Sequence, residues 1–499
     1  MTANETDRLS DATIASVRHG VPTPAYDRAA VRPGVLHFGP GAFHRAHQAA
    51  YFDQLLSRDP RWGVCDVSLR SAGVRDALAP QDGLYVLAEL DAEVRFRVIG
   101  AIKSVLVAAE APDAVFAALV SPETRLVTMT VTEKGYCLTA AGELDLGNRD
   151  IRQDLARSGP PVSVIGWLVE GLARRRAVGL APFVTLSCDN LPDNGDRLGR
   201  AVVRFAQARG DADLAAWIED EARFPKSMVD SITPATDAAL RARVAREVGL
   251  VDAWPVQRER FTQWVVQDNL GPDAPDLAAV GVTLTDDVAG YERAKLRLLN
   301  GAHSSLAYLG SLGGHATVAE AMTDGPLAAF LRALMAQDIA PSLRAPHGLS
   351  IDAYIGSILE RFRNPAIRHS LAQIAGDGSQ KLLIRLLGTV DDALAAGRPV
   401  GRLAAPVAAW MRFVVEATRN GATLVDPLAE RLRDVATACE DRAEGDVAAF
   451  LALDQVFPPN LATAPRFRAA VDAAYADLVG GGFARDGVAR LLARLSTDG

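Results

Sequence analysis

The segment YERAKLRLLNGAHSSLAYLG, residues 291–310, places Lys295, Asn300 and His303 in an otherwise mostly apolar stretch of helical spacing. With Glu292 as origin and about 100° per residue, Lys295, Leu299, Asn300 and His303 fall within an arc of roughly 140°. One helix face therefore gathers an ammonium, a carboxamide and an imidazole, flanked by Leu296 and Leu299. An unpaired buried ammonium is costly, so this face must meet a polar partner. For any one of these residues, satisfying backbone ends at a domain face is the plainer account. Three convergent groups of different type, one of them a lysine whose pKa burial would lower, point instead to catalysis. Such a lysine can trade a proton with an alcohol, and an amide beside it can hold the developing alkoxide. A second amide, Asn190 in CDNLPDNG, follows the apolar run that starts near Phe183. Open α/β sheets place ligands at such strand ends, although an Asx-turn would also explain an asparagine there.

A second chemistry-bearing stretch lies near the N-terminus. The run VLHF (35–38) leads into GPGAF and then into HRAHQAAYFDQLL, which has helical spacing. Gly39 and Gly41 between strand and helix would let the backbone approach a pyrophosphate held by the helix-start N–H groups. The third glycine of GxGxxG is absent, and a tight turn alone would also use the first two. A second strand, WGVCDVSL (62–69), ends in Ser68-Leu69-Arg70-Ser71, without the acid that would grip the ribose 2′-hydroxyl of NAD. Arg70 could meet a 2′-phosphate, which leaves NADP open beside NAD, or it could be solvated. His44 and His47 stand three apart, but no third ligand or intervening glutamate accompanies them, so hydrogen-bonding roles at the helix start are expected and no metal site.

The elements that must position these residues change character along the chain. Up to about residue 285, apolar runs at 35–38, 62–69, 125–133 and 181–190 alternate with helical stretches, which implies a mostly parallel, doubly wound sheet. Beyond it, LSIDAYIGSILERF, QKLLIRLLGTVDDALAA and AAPVAAWMRFVVEATRN follow one another as helices. The expectation is a Rossmann-type α/β dinucleotide-binding domain over 1–285 and an α-helical substrate and catalytic domain over 286–499. A chain of 499 residues with 49% hydrophobic and 23% charged residues suits a soluble, multidomain protein. Its net charge of -8 argues against a nucleic-acid partner. No apolar run approaches the ~18 residues of a membrane span. The acid-containing N-terminus is not a secretion signal, and the four widely spaced cysteines suit a reducing compartment, so a cytoplasmic location is expected.

The segments FGPGAFHRAHQAAYFDQLL, TVTEKGY, SCDNLPDNG, MVDSITPATD and, above all, YERAKLRLLNGAHSSLAYLG resemble the long-chain polyol dehydrogenases, the mannitol dehydrogenase family. The resemblance runs from about residue 30 to beyond 385. It implies a zinc-free, NAD-dependent interconversion of a secondary alcohol and a ketone. Carried over by motif, Lys295 is the general acid/base, Asn190 and Asn300 stabilise the oxyanion, His303 positions substrate and Glu292 gates proton exit. The same resemblance assigns Phe38, Gly39, Gly41, Ala42, Phe43, Arg70 and Glu133 to the cofactor, and Asp230, Gln373 and Lys381 to the substrate.

Within the family, RFRNPAIRHSLAQIAGDGSQKLLIRLL (361–387) looks more like the fructuronate reductases (D-mannonate oxidoreductases), which carry DGSQKLPQR, than like mannitol dehydrogenases, which tend to have an arginine where Gln373 stands. A keto sugar acid needs a cation for its carboxylate. Lys381 is the candidate, with Arg361, Arg363, Arg368 or Arg385 in support, although a basic run is also what a solvated helix surface looks like. Ser231 in place of the arginine of VDRITP, and Leu383 in place of the proline of DGSQKLP, depart from the pattern. The expected reaction is reversible reduction of D-fructuronate to D-mannonate by a monomer or small homo-oligomer. The rivals are a polyol 2-dehydrogenase acting on mannitol or arabinitol, and a catalytically silent dinucleotide-binding regulator, which would need the glycines but not the lysine cluster.

Overall fold

The computed structural model describes residues 8–480 and 484–497, and the chain divides into two compact units, Met1–Ala289 and Gly290–Gly499. Among the described residues the strands, all in the first unit, are β1 Val35–Phe38, β2 Val64–Ser68, β3 Tyr85–Leu90, β4 Arg95–Ile99, β5 Ile102–Val107, β6 Leu126–Met129, β7 Val184–Ser187, β8 Ser227–Asp230, β9 Val256–Glu259, β10 Gln263–Gln267 and β11 Thr283–Thr285.

Five of them form one all-parallel sheet in the order β5-β2-β1-β6-β7. The chain order reverses between β1 and β6, and the crevice at their carboxyl ends is where a doubly wound sheet takes its ligand. Every residue of β1 and β6 is buried, which accounts for their mostly apolar sequences, His37 and Thr128 being the buried polar exceptions. Leu36 and Phe38 pack with the helices Pro112–Val120, Val164–Ala177 and Asn194–Ala208 on one face. Val35 packs with Phe52 and Leu55 of the helix Gln48–Leu55 on the other.

The strands are shorter than the apolar runs that announced them. The run 125–133 is a strand only over Leu126–Met129 and the run 181–190 only over Val184–Ser187, because their polar ends turn to build the crevice. Two further sheets, β11-β10-β8 and β4-β3-β9, complete the unit and lack the clean strand–helix alternation that made the main sheet legible. The stretch after GPG is not one helix: Ala42–Ala46 and Gln48–Leu55 are separated at His47, whose φ of -116° and ψ of -87° leave the helical region.

The second unit is helical throughout its described residues. Three of its helices contain π turns, at Lys295–Asn300, Leu334–Ile339 and Leu383–Leu387. These turns meet at one point: a Cβ built on Gly301 would lie 3.1 Å from the Arg385 carbonyl oxygen, 3.6 Å from Leu386 and 3.8 Å from Ile339. The missing side chain at 301 is what lets them approach.

Candidate active site

In the first unit, Gly39 closes the end of β1 with φ +95°, and a Cβ there would sit 2.2 Å from the Thr130 carbonyl oxygen, so only glycine fits. Gly41 is different. A Cβ on it would meet nothing nearer than 3.9 Å, leaving an open backbone crest directly before the helix Ala42–Ala46. One glycine thus makes the turn and the other keeps its approach clear, which is the division of labour a dinucleotide turn requires. Phe38, Ala42 and Phe43 flank this turn.

Across the crevice, Thr132 after β6 has φ +66° and ψ 160°, a region that β-branched residues avoid. The Asp189 carboxylate holds it there, accepting from the N–H groups of Val131 at 2.9 Å and Thr132 at 3.1 Å and from the Tyr136 hydroxyl at 2.8 Å. The acid of SCDN therefore clasps the loop TVTEKGY, and Glu133 is presented, exposed, by the short turn Glu133–Tyr136. Asn190, next to Asp189, is exposed just beyond the end of β7. Asn194 of the same motif is spent on structure, its amide donating to the Ser227 carbonyl at 2.8 Å and accepting from the Ser227 N–H at 2.9 Å. Asp230 lies buried at the end of β8.

A polar row runs beneath the glycine turn, where Asp66, His37 and Thr128 are in register on β2, β1 and β6. His37 contacts Thr128 Oγ1 through Nδ1 at 2.7 Å and Thr130 Oγ1 through Nε2 at 3.0 Å. His44 stacks on it at 3.4 Å between ring centroids. His44 Nε2 is 3.1 Å from Asp66 Oδ1, but the approach is too oblique for a hydrogen bond and both groups otherwise lack partners. Burial pushes Asp66 up to about 7 and His44 down to about 3, so folding disfavours charge on both groups. His47 Nε2 lies 3.1 Å from the Gln263 carbonyl oxygen. Of the two histidines of HRAH, His47 is thus held by a polar contact and His44 by stacking on His37.

Arg70 lies just past the end of β2, exposed, and its guanidinium is paired with Asp150 at 2.5 Å. The cation expected to be open to a 2′-phosphate already has a carboxylate.

In the second unit, the stretch that carries Lys295, Asn300 and His303 departs from the regular helix expected for it. The Gly301 N–H bonds back to the Leu296 carbonyl, an i→i+5 bond. On an α-helix, Lys295 and Asn300 would stand roughly 140° apart. The wider turn brings residues five apart close to one full revolution, so the ammonium and the carboxamide move toward one line. Glu292, Lys295 and Asn300 are half-buried, while His303 is buried. The His303 ring stacks on Phe362, 4.3 Å between centroids, with His369 edge-on at 5.3 Å. Burial, followed by the charges of His369, Arg361 and Arg385, holds His303 well below the ordinary histidine value, so it is neutral.

The DGSQK motif is largely consumed by packing. Asp377 has φ +55°, and a Cβ on Gly378 would lie 2.3 Å from Trp410 Nε1. Ser379 donates from both N–H and Oγ to Asp426. Lys381 Nζ donates to the Gly376 carbonyl at 2.6 Å and lies 3.7 Å from Asp377. Gln373 is exposed on the helix Leu371–Ala375. Asp189, Thr132, His37, Phe362 and His369 escaped the sequence reading. Of these only Asp189, an acid at a strand end, carried a signal, and it was overshadowed by Asn190.

Residues 33–278 match the family described as the mannitol dehydrogenase Rossmann domain, and residues 287–479 match the mannitol dehydrogenase C-terminal domain. The D-mannonate oxidoreductase of Escherichia coli (strain K12) is 41% identical over 96% of this chain and 100% of its own. A mannitol 2-dehydrogenase of Pyrenophora tritici-repentis is 38% identical over 92% of this chain and 82% of its own. The Pseudomonas fluorescens mannitol 2-dehydrogenase, solved as a ternary complex with NAD and D-mannitol, is 37% identical with a TM-score of 0.81, covering 99% of this chain and 100% of that one.

Proposed function

Because the chain belongs to the mannitol dehydrogenase family and is therefore a secondary-alcohol oxidoreductase, we propose that it interconverts D-fructuronate and D-mannonate with NAD(H), the sugar acid rather than the neutral polyol being its substrate. NAD(H), when bound, supplies or accepts the hydride at the carbinol carbon. The residues assigned to hold it are those of the glycine turn, Phe38, Gly39, Gly41, Ala42 and Phe43, with Glu133 across the crevice. In the direction of reduction Lys295 delivers a proton to the carbonyl oxygen while the amides of Asn190 and Asn300 donate to that oxygen as negative charge gathers on it. Returned to the opposite direction, the same lysine takes the hydroxyl proton, and Glu292 passes it on. Neutral His303, fixed by Phe362, orients the substrate, and Asp230 and Gln373 meet its hydroxyls.

The observation that carries the sugar-acid reading is Arg385, a half-buried guanidinium whose Nη1 meets only the Ser304 hydroxyl and whose Nε has no partner. A neutral polyol brings no charge to offset such a cation, whereas a sugar acid does. The competing reading, a polyol 2-dehydrogenase, is favoured by the near-equal similarity to proteins of that activity. Initial rates with fructuronate, tagaturonate, fructose and xylulose, each with NADH and NADPH, separate the two. The expected outcome is the highest kcat/KM for fructuronate with NADH, and fructose or xylulose turned over faster than either uronate would overturn the reading.

A further inference from the structure

Arg385 is an arginine without a direct ion pair among the described residues, the Asp377 carboxylate acting on it only from a distance. It projects from the π turn Leu383–Leu387, half-buried, and of its five N–H donors one meets a protein partner, Nη1 donating to Ser304 Oγ at 3.1 Å. Its Nε is buried with no partner. No carboxylate of the described residues lies within ion-pair distance of it, whereas Arg297, Arg402 and Arg412 in the same unit are paired with Asp392, Asp338 and Asp441. A partly desolvated guanidinium that meets only a neutral hydroxyl is an incomplete arrangement.

The neighbours are incomplete in the same sense. Ser304 directly follows His303, whose Nε2 is buried without a partner, and His369, edge-on to that ring, has an unpartnered buried Nδ1. Both imidazoles are held below their ordinary value, chiefly by burial, and a neutral imidazole can still donate one hydrogen bond. The cluster thus offers two kinds of donor, a guanidinium and a pair of imidazoles, with no anion in contact to receive them. Its position is built in: the close approach of the Arg385 carbonyl to Gly301 brings the π turn against the helix that carries Lys295, Asn300 and His303.

Lys381, the cation of the DGSQK motif, is not in this condition. Its ammonium is bound to the Gly376 and Ile374 carbonyls and is offset by Asp377. Its role is to fasten the end of the helix Leu371–Ala375.

We propose that Arg385, oriented by Ser304 and flanked by His303 and His369, is the specificity-determining residue that takes the carboxylate of the substrate. The assignment rests on the sugar-acid reading given above. A planar carboxylate matches the fork of the guanidinium, and the pairing is stronger in a partly dry site than at the surface.

Fructuronate and fructose differ in a carboxylate against a primary alcohol at one end of the chain, so the ratio of their kcat/KM values reads the contact directly. In Arg385→Met that ratio should fall about ten- to a hundredfold from its wild-type value, the loss appearing mainly in KM for fructuronate. Arg385→Lys should recover part of it. Should Arg385→Met not accumulate as folded protein, Ser304→Ala, which removes only the hydroxyl that orients the guanidinium, should lower the same ratio about three- to tenfold. A ratio unchanged in the folded variants, with wild-type protein still preferring fructuronate, would overturn the Arg385 assignment and leave the sugar-acid reading standing. Wild-type protein that prefers fructose would overturn both.

Discussion

In the proposed reaction Lys295 and Asn300 act on one oxygen with opposite duties, one moving a proton and the other holding charge, and this sets what their removal should do. Lys295→Ala should lose about 10²- to 10⁴-fold in kcat, the usual contribution of a positioned acid/base, while NADH affinity read by fluorescence titration stays within a few-fold. Wild-type-like turnover would remove Lys295 from the chemistry. In the first unit, Asp150 occupies Arg70 and brings negative charge beside the cation expected to meet a 2′-phosphate. Asp150→Ala frees the guanidinium, and because the pair is exposed its release has only a modest effect on binding, so we expect the kcat/KM ratio of NADPH to NADH to rise about three- to tenfold. An unmoved ratio would place Arg70 away from the ribose.

At the scale of elements, the π turn in the catalytic helix does what an α-helix cannot. It narrows the angle between side chains five apart without breaking the rod, and it depends on Gly301 to let two further π turns close against it. Gly301→Ala sets two effects against each other. Alanine gains about 1 kcal/mol in a helix relative to glycine, but its Cβ would press on the Arg385 carbonyl from 3.1 Å. The neighbour must yield by a few tenths of an ångström, and catalysis is sensitive to displacements of that order. The variant should keep or raise its melting temperature while kcat falls about tenfold. Loss of stability and activity in equal measure would mean that the site is not tuned by this packing. The strained Thr132 loop follows the same pattern in the first unit, where one carboxylate, Asp189, holds a backbone that would otherwise relax.

At the scale of the whole molecule, each unit keeps histidines buried and neutral, His37 in the first and His303 in the second. Both are depressed below the ordinary value of 6.5, so between that value and the folded one the unfolded chain binds more protons. Their stability contribution is complete above about pH 6.5 and is lost as pH falls, at up to ~1.4 kcal/mol per pH unit for each group. The His44–Asp66 pair adds little to this slope. Folded, it releases protons near 3 and 7; unfolded, near 3.8 and 6.5, so rising pH costs the raised carboxyl roughly what it returns to the depressed imidazole. Melting temperatures at pH 7, 6 and 5 should therefore fall progressively. A flat profile down to pH 5 would show that the buried imidazoles accept protons without unfolding.

The sequence by itself determined the fold class and the glycine turn, because each is a local pattern: an apolar run that ends in a turn, and a residue type that tolerates positive φ; it offered the lysine–asparagine–histidine stretch as a helix face, which the π turn then reshaped. It also determined the family, since those patterns recur in one order along the chain. Tertiary structure decided everything that depends on partners distant in sequence. Asp189 was legible as an acid, but its grip on Val131 and Thr132 joins loops 58 and 57 residues apart in sequence. The run of cations from Arg361 to Arg385 was equally visible, yet sequence could not rank them, because a charge is available to a ligand only if the fold leaves it without a counterion. Lys381 has backbone carbonyls and Asp377; Arg385, four residues later, has one hydroxyl. That difference arises from where a π turn meets Gly301, and no spacing in the chain encodes it.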